Sequence, residues 1–387
     1  MMSYRNRTLE LNRFLSIILF FFIVAGLTAE ESKENFILNS NSELNIYYFW
    51  DEINAASTSS NYFLPNYEKG LKSSVVESFF LKDKFFFRNF NYRLKPEINF
   101  SLDNFYFRKK LNGLVQVNLT PSLIIQNNFE IDSDGWNDDH YHKNYRAEVS
   151  GDWTAYLLHS SLTNYYSNGF FMVGKGNISS SYINNSLFIN SSYPPVETIF
   201  WHHQNKNLVY DWSVNFLNST DSTGRFLTFH RYSYNSKKWR IGIIEMALVK
   251  FNHFSKEELG YCLPASVLFE QEINGSQNSN LALGLDFEWK FKKYLFRSEI
   301  FIDDISIDGK SPNKIGSKFA IGSHEFNTFK YFVEYSRISR WTGNYYYSEL
   351  RFIENDVFIG HPNGPDSQSL LIKFFSEITD SLFLFLD

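Results

Sequence analysis

The chain has 387 residues and a formal net charge of −5, and its 43% hydrophobic and 20% charged residues set it apart from a disordered chain and from a bundle of membrane helices. Its single cysteine, Cys262, excludes an intramolecular disulfide and a thiolate metal cluster, and the mild acidity gives no support to a nucleic-acid partner. What stands out is a 19% aromatic share, with 41 Phe and 24 Tyr, residues that favour strands.

Residues 1–29 read as an address. Arg5, Arg7 and Arg13 precede the apolar run Phe14–Ala25, and the small residues of Gly26–Ala29 lead to Glu30 and Glu31. This is the layout of a secretory signal peptide with its cut near Ala29. The run is shorter than the about 20 residues a membrane anchor needs. A lipoprotein anchor would need a cysteine at the cut, and Cys262 lies far from it. Residues 30–78 form a lead segment in which Tyr47–Ala56 has the character of a short helix broken by Ser57–Ser60.

From about Phe79 the hydrophobic period is two. In Tyr145–Leu157, Tyr145, Ala147, Val149, Trp153 and Leu157 oppose Arg146, Glu148, Ser150, Asp152 and Thr154. In Leu208–Phe216, Leu208, Tyr210, Trp212, Val214 and Phe216 oppose Val209, Asp211, Ser213 and Asn215. In Asn280–Phe291 the odd positions Leu281, Leu283, Leu285, Phe287, Trp289 and Phe291 oppose Asp286, Glu288 and Lys290. In Tyr294–Asp303, Phe296, Ile300 and Ile302 oppose Arg297, Glu299 and Asp303. Only a strand sorts side chains this way.

The polar faces decide the architecture. Strands of about 10 residues with large apolar groups on one side, charges on the other and aromatics near their ends match a lipid-facing band around a wet lumen. Trp289/Phe291, Tyr345–Tyr347 and Tyr165/Tyr166 are such aromatics. The expectation is all-β: residues 79–387 form a transmembrane antiparallel β-barrel of about 16 strands, up to 18 in complete relatives, in contact with outer-membrane lipid. A soluble exported β protein is the competing reading. The barrel reading brings with it export and insertion by barrel-assembly machinery.

Chemical motifs are few. Asp132–Asp139 is an acidic stretch without the spacing of a calcium loop, and reads as turn material. His202 and His203 point to opposite faces of a strand and make a poor metal chelate. The chain has neither a G-x-S-x-G nor an H-E-x-x-H pattern. The sequence therefore points to a non-enzymatic protein with no cofactor and no metal. A Ser–His contact facing lipid would reopen a hydrolase reading.

An ordered set of segments carries a resemblance. Gly174–Pro195 reads as a strand, a loop and a return strand ending in a proline pair. Arg225–Arg231, Trp239–Val249, Phe269–Asn274, Asn278–Asp286, Phe301–Asp308 and Phe358–Asp366 follow. In this order and spacing the set resembles the capsule-assembly Wzi family of outer-membrane barrels. It departs from that family at Lys175, where an arginine is usual, and in lacking a Trp-Gly pair shortly after. The early stop at Asp387, without a terminal aromatic, leads us to expect a smaller or truncated barrel.

The resemblance implies a lectin-like protein that holds capsular or other exopolysaccharide at the cell surface. It implies polysaccharide-binding roles for His230, Arg231, Glu245, Asn274, Asn280, Asp286, Asp303, Asp304, His361 and Asp366, together with Gly174, Gly360, Gly364 and Pro365. Beside that implication stands a plain structural role, in which inward Glu245, Asp286, Glu288, Arg297 and Glu299 pair across the lumen. A diffusion porin for small solutes is the alternative function.

Overall fold

A computed structural model describes residues 90–386 except for 102–105, 121, 134–146, 151–152, 177–185, 190–195, 221–222, 237, 253–254, 274–277, 292–293, 306–311, 324–328, 355–356 and 380–381. The expected signal peptide and the helical lead at Tyr47–Ala56 lie outside the described residues.

The strands in chain order are β1 (Phe90–Ser101), β2 (Tyr106–Asn118), β3 (Leu123–Asp132), β4 (Ala147–Ser150), β5 (Trp153–Tyr166), β6 (Gly169–Gly176), β7 (Val196–Asn205), β8 (Leu208–Thr220) and β9 (Thr223–Asn235). They continue with β10 (Trp239–Phe251), β11 (Ser279–Phe291), β12 (Tyr294–Asp304), β13 (Lys314–Ser323), β14 (Phe329–Ile338), β15 (Ile353–Glu354), β16 (Val357–Phe358), β17 (Ser367–Thr379) and β18 (Leu382–Leu386). Helices α1 (Lys256–Tyr261) and α2 (Leu268–Ile273) lie between β10 and β11.

Sixteen strands form one antiparallel sheet whose strands follow in chain order, except that β3 pairs with β5 and β4 pairs only with β5, while β15 and β16 form a separate hairpin. The architecture is that of a transmembrane antiparallel β-barrel. Its connections are unequal. At one end the turns are short, as between Asn205 and Leu208 or between Phe291 and Tyr294. At the other end the chain runs through long connections, after β6, after β10 and between β14 and β17. In outer-membrane barrels the short turns are periplasmic and the long loops extracellular.

The two faces of the wall sort as the alternation requires. Ile241, Ile243, Leu285, Phe319, Ile321 and Ile372 are exposed on the outer face. Towards the short turns this band ends in Tyr232, Tyr234, Trp239, Trp289 and Phe291, an aromatic girdle. On the inner face Asp211, Arg231, Arg240, Asp286, Glu288, Arg297, Lys318 and Glu334 are buried.

The lumen is filled at the loop end. Leu187, Phe188 and Ile189, from the connection after β6, pack against Phe229, Ile244, Met246 and Phe301, and Phe352 and Ile359 from the β14–β17 connection join them. Gly284 makes this possible. A Cβ there would sit 2.1 Å from the Phe188 ring, so only glycine lets the ring lie on the strand.

Three expectations need correction. Tyr145–Leu157 is not one strand: β4 pairs antiparallel with β5, so the chain reverses between Ser150 and Trp153. The return strand expected before Pro194–Pro195 is absent from the described part of that segment: Leu187–Ile189 is a buried bend, and β7 begins at Val196. Glu245 does not face the lumen. Its register partners are His230 and Leu283, and the next outward residue but one, Ile243, is exposed, so Glu245 is on the outer wall. The sequence misled there because the run Ile241–Val249 is apolar on both faces.

Candidate functional site

The connection between β14 and β17, residues 339–366, lies at the loop end and carries the most exposed large apolar or aromatic side chain among the described residues, Tyr346. It is pinned from below by buried polar side chains. The Gly343 N–H donates to Asp303 Oδ2 at 3.0 Å, at a positive φ of 72° that suits glycine. The Lys314 ammonium donates to the Asn344 carbonyl at 3.1 Å and lies 3.8 Å from Asp303 and 3.7 Å from Asp304. Asn280 Nδ2 donates to the Leu350 carbonyl at 3.0 Å. Arg225 Nη2 donates to the carbonyls of Arg351 at 3.1 Å and Ile353 at 2.8 Å, while its Nη1 reaches Glu354 at 3.4 Å. The other Glu354 oxygen accepts the Asn218 N–H at 2.8 Å. Burial pushes the Glu354 carboxyl up from its ordinary range, against the pull of the Asn218 N–H and of Arg225.

On this base stand Trp341, Tyr345, Tyr346 and Tyr347. Tyr346 is 88% exposed. Each of the others has a cation on its ring: Arg340 at 5.2 Å from the Trp341 centroid, Lys314 at 5.9 Å from Tyr345, and Lys250 at 3.8 Å from Tyr347. The Tyr346 and Tyr347 rings meet edge to face at 5.1 Å. The result is a shelf of aromatic faces edged by hydrogen-bond donors, held in place by bonds to the barrel wall. Sequence reading placed Tyr345–Tyr347 at a strand end; they belong instead to this loop, beside the short 3₁₀ turn Ser348–Leu350.

The residues singled out from the sequence fall into four places. Asp303 and Asn280 support the shelf from beneath, and Asp304 is exposed at its edge. His361 is buried at the far root of the loop, 4.0 Å from Glu334, which also pairs with Lys318 at 3.1 Å. Burial, then Lys318, holds the His361 imidazole down at about 4. Asp366 is exposed at a φ of 58°, where the loop turns back into β17. Gly360 and Gly364 are buried within the same connection.

Arg231 and Asp286 belong to a lumen network at mid-barrel. Asp211 accepts Arg231 Nε at 2.9 Å and Nη2 at 2.5 Å on one oxygen, and lies 2.6 Å from His202 Nδ1 on the other. Asp286 Oδ2 is 3.2 Å from Arg240 Nη2 and 3.8 Å from Arg231 Nη1. Gly242 lies between them. A Cβ there would meet Asp286 Oδ1 at 1.9 Å, so the glycine lets a carboxylate lean across β10 towards β9. Glu288 pairs with Arg297 at 2.8 Å, and Glu299 accepts the Leu187 N–H at 2.8 Å. The inward charges pair, but along the wall between strands one or two apart and not across the lumen as expected, and Glu299 instead holds the buried bend.

His230 and Glu245 are neighbours on the opposite, outer wall, beneath α1 and α2. Asn274 lies outside the described residues, and so does most of Asp132–Asp139. A close Ser–His contact does exist, His159 Nε2 to Ser161 Oγ at 2.7 Å, but β5 directs both into the lumen, not towards lipid.

Sequence reasoning missed the shelf cations Lys250 and Lys314, because long-range folding alone brings them to the tyrosines, and it missed Arg340, which lies beside Trp341 in the chain. It also missed Arg225 and Glu354, 129 residues apart in the chain.

No family model and no curated protein matches the chain. Among solved structures, it is similar to an anion-selective porin from Comamonas acidovorans (TM-score 0.41, 10% identity, 76% of this chain and 87% of that one). It is also similar to OmpT of Vibrio cholerae in its trimer form (TM-score 0.39, 10% identity, 77% and 85%). A third is OmpF of Salmonella typhi in complex with daunomycin (TM-score 0.40, 5% identity, 76% and 87%).

Proposed function

We propose that this barrel sits in the outer membrane and retains capsular or other exopolysaccharide at the cell surface without changing it chemically. The observation that carries the reading is the Trp341–Tyr347 shelf, whose most exposed ring, Tyr346, sits on a loop bonded into the barrel at both faces of its turn. Sugars are recognised by stacking their C–H faces on aromatic rings while side-chain donors and acceptors take the hydroxyls. A pre-ordered shelf makes that binding less costly, because little loop entropy is lost on contact. The resemblance to the capsule-assembly Wzi family points the same way.

The packing of Leu187–Ile189, Phe352 and Ile359 inside the barrel weighs against a diffusion porin, which needs a continuous wet path. Alanine at both Tyr346 and Tyr347 should release surface polysaccharide to the medium while the barrel still shifts on a gel between unheated and heated samples. Folded variant that keeps its glycan like the parent would remove the shelf from the mechanism. Steady ion conductance by the parent in planar bilayers, with no glycan bound, would put the porin reading in its place.

A further inference from the structure

The outer wall of β8–β11 carries polar groups where a barrel meets hydrocarbon, and a pair of helices covers them. Helices α1 and α2 fold back from the loop end against the lipid-facing side of the sheet. Tyr261, Cys262 and Leu268 pack on the outward residues Trp212, Val214, Phe226, Ala247 and Val249. Few polar contacts hold them there: the Tyr210 hydroxyl donates to the Pro264 carbonyl, the Leu268 N–H donates to Glu245 Oε2 at 3.3 Å, and the Tyr261 and Ser279 hydroxyls are 2.8 Å apart. The outside of the pair mixes exposed Leu263, Val267 and Phe269 with exposed Lys256, Glu257 and Glu270.

Under the helices the wall is not satisfied. His230 is 0% exposed and no side chain hydrogen-bonds either ring nitrogen. A backbone group of Ser266, between the two helices, is its polar neighbour. The Trp212 indole N–H and the Thr228 hydroxyl, on neighbouring positions of the same outward face, are likewise buried and unbonded. Glu245 stands beside His230 across the β9–β10 ladder. Unpaired buried polar groups destabilise a fold, and a lipid-facing wall has no structural need of them. Three donors and a carboxylate gathered on one patch suit a ligand rich in hydroxyls. They do not suit a phosphate, since the outward faces of β8–β11 carry no lysine or arginine among the described residues.

We propose that the seam between the α1–α2 pair and the outer wall is a binding site for a lipid with a hydroxylated, uncharged head, a glycolipid by chemical class. The head lies under the helices against Trp212, Thr228, His230 and Glu245. The acyl chains run down the adjoining exposed face of Ile241, Ile243 and Leu285. This site is separate from the shelf, on the other side of the wall, and does not depend on the shelf binding glycan.

The test uses the full chain in phosphatidylcholine nanodiscs and an alkyl maltoside carrying a diazirine beside its head. Illumination should attach it to peptides spanning residues 226–232 and 256–273. Dodecyl maltoside should compete, and free maltose should not. The double variant His230→Leu, Glu245→Gln should lower labelling about tenfold or more, as expected for losing hydrogen bonds to a bound head. Trp212→Phe and Thr228→Val, milder changes that leave the fold intact, should each lower it by a smaller factor. Labelling of equal strength by an alkyl phosphocholine probe would mean ordinary lipid contact and would overturn the proposal. So would competition by free maltose, which would make this a sugar site. Unchanged labelling in folded His230→Leu or Thr228→Val protein with a raised unfolding midpoint would also overturn it, since those groups would then be a structural defect.

Discussion

Replacing Arg231 by methionine tests the lumen network most directly. The guanidinium gives Asp211 two hydrogen bonds, at 2.9 and 2.5 Å, and its other nitrogen approaches Asp286 at 3.8 Å. Both partners of the Asp211 pair are nearly closed to water, with side chains 6% and 5% exposed. After the substitution Asp211 keeps only His202, and Asp286 keeps Arg240. Methionine fills much the same volume, so the main loss is electrical: a buried carboxylate stripped of its strongest partner. Removing one member of a buried pair costs about 3–5 kcal/mol. The second carboxylate has another cation, so the lower half of that range is expected. The double variant Arg231→Met, Asp211→Asn should recover most of the loss, because no unpaired charge remains, and the coupling should reach about 2–3 kcal/mol. Urea unfolding of the barrel refolded into lipid vesicles gives each value, with the two-state test applied to every variant. A single variant within 1 kcal/mol of the parent, or a double variant no better than the single, would refute the claim that Asp211 depends on Arg231.

Leu285→Arg places a charge on the exposed lipid face and should cost about 2–4 kcal/mol at mid-bilayer, whereas a membrane-impermeant thiol reagent should not reach Leu285→Cys; labelling there would invert the register of β11. Gly284→Leu drives a side chain into the space of the Phe188 ring, so single-channel recording should show conductance well above the parent, and no change would mean that the bend does not block the lumen. The His361 imidazole is held near 4 in the folded loop against 6.5 in its ordinary state, so the unfolded chain takes up the proton first as pH falls. Stability should therefore rise with pH between about 4 and 6.5, by up to about 3 kcal/mol, and urea midpoints of His361→Asn should lose that slope.

The amino-acid sequence by itself determined which strands have a wet and a lipid face wherever the wall separates lumen from lipid. In the lower barrel, Leu285, Trp289 and Phe291 turn out while Asp286 and Glu288 turn in, as their period of two requires, because each strand there meets water-like charge on one side and hydrocarbon on the other. The pairing of Glu288 with Arg297 across neighbouring strands follows from the same alternation. Near the loop end that rule fails for a physical reason. There β9 and β10 are buried on both faces, inside by Leu187–Ile189 and outside by α1 and α2, so Leu227, Phe229, Ile244, Met246, Ala247, Leu248 and Val249 carry no alternation to read. Strands covered on both sides read as continuous apolar runs. Only the tertiary structure could therefore place Glu245 and His230 on the outer wall, and set Lys250 and Lys314 beside aromatic rings that local patterning leaves unpartnered.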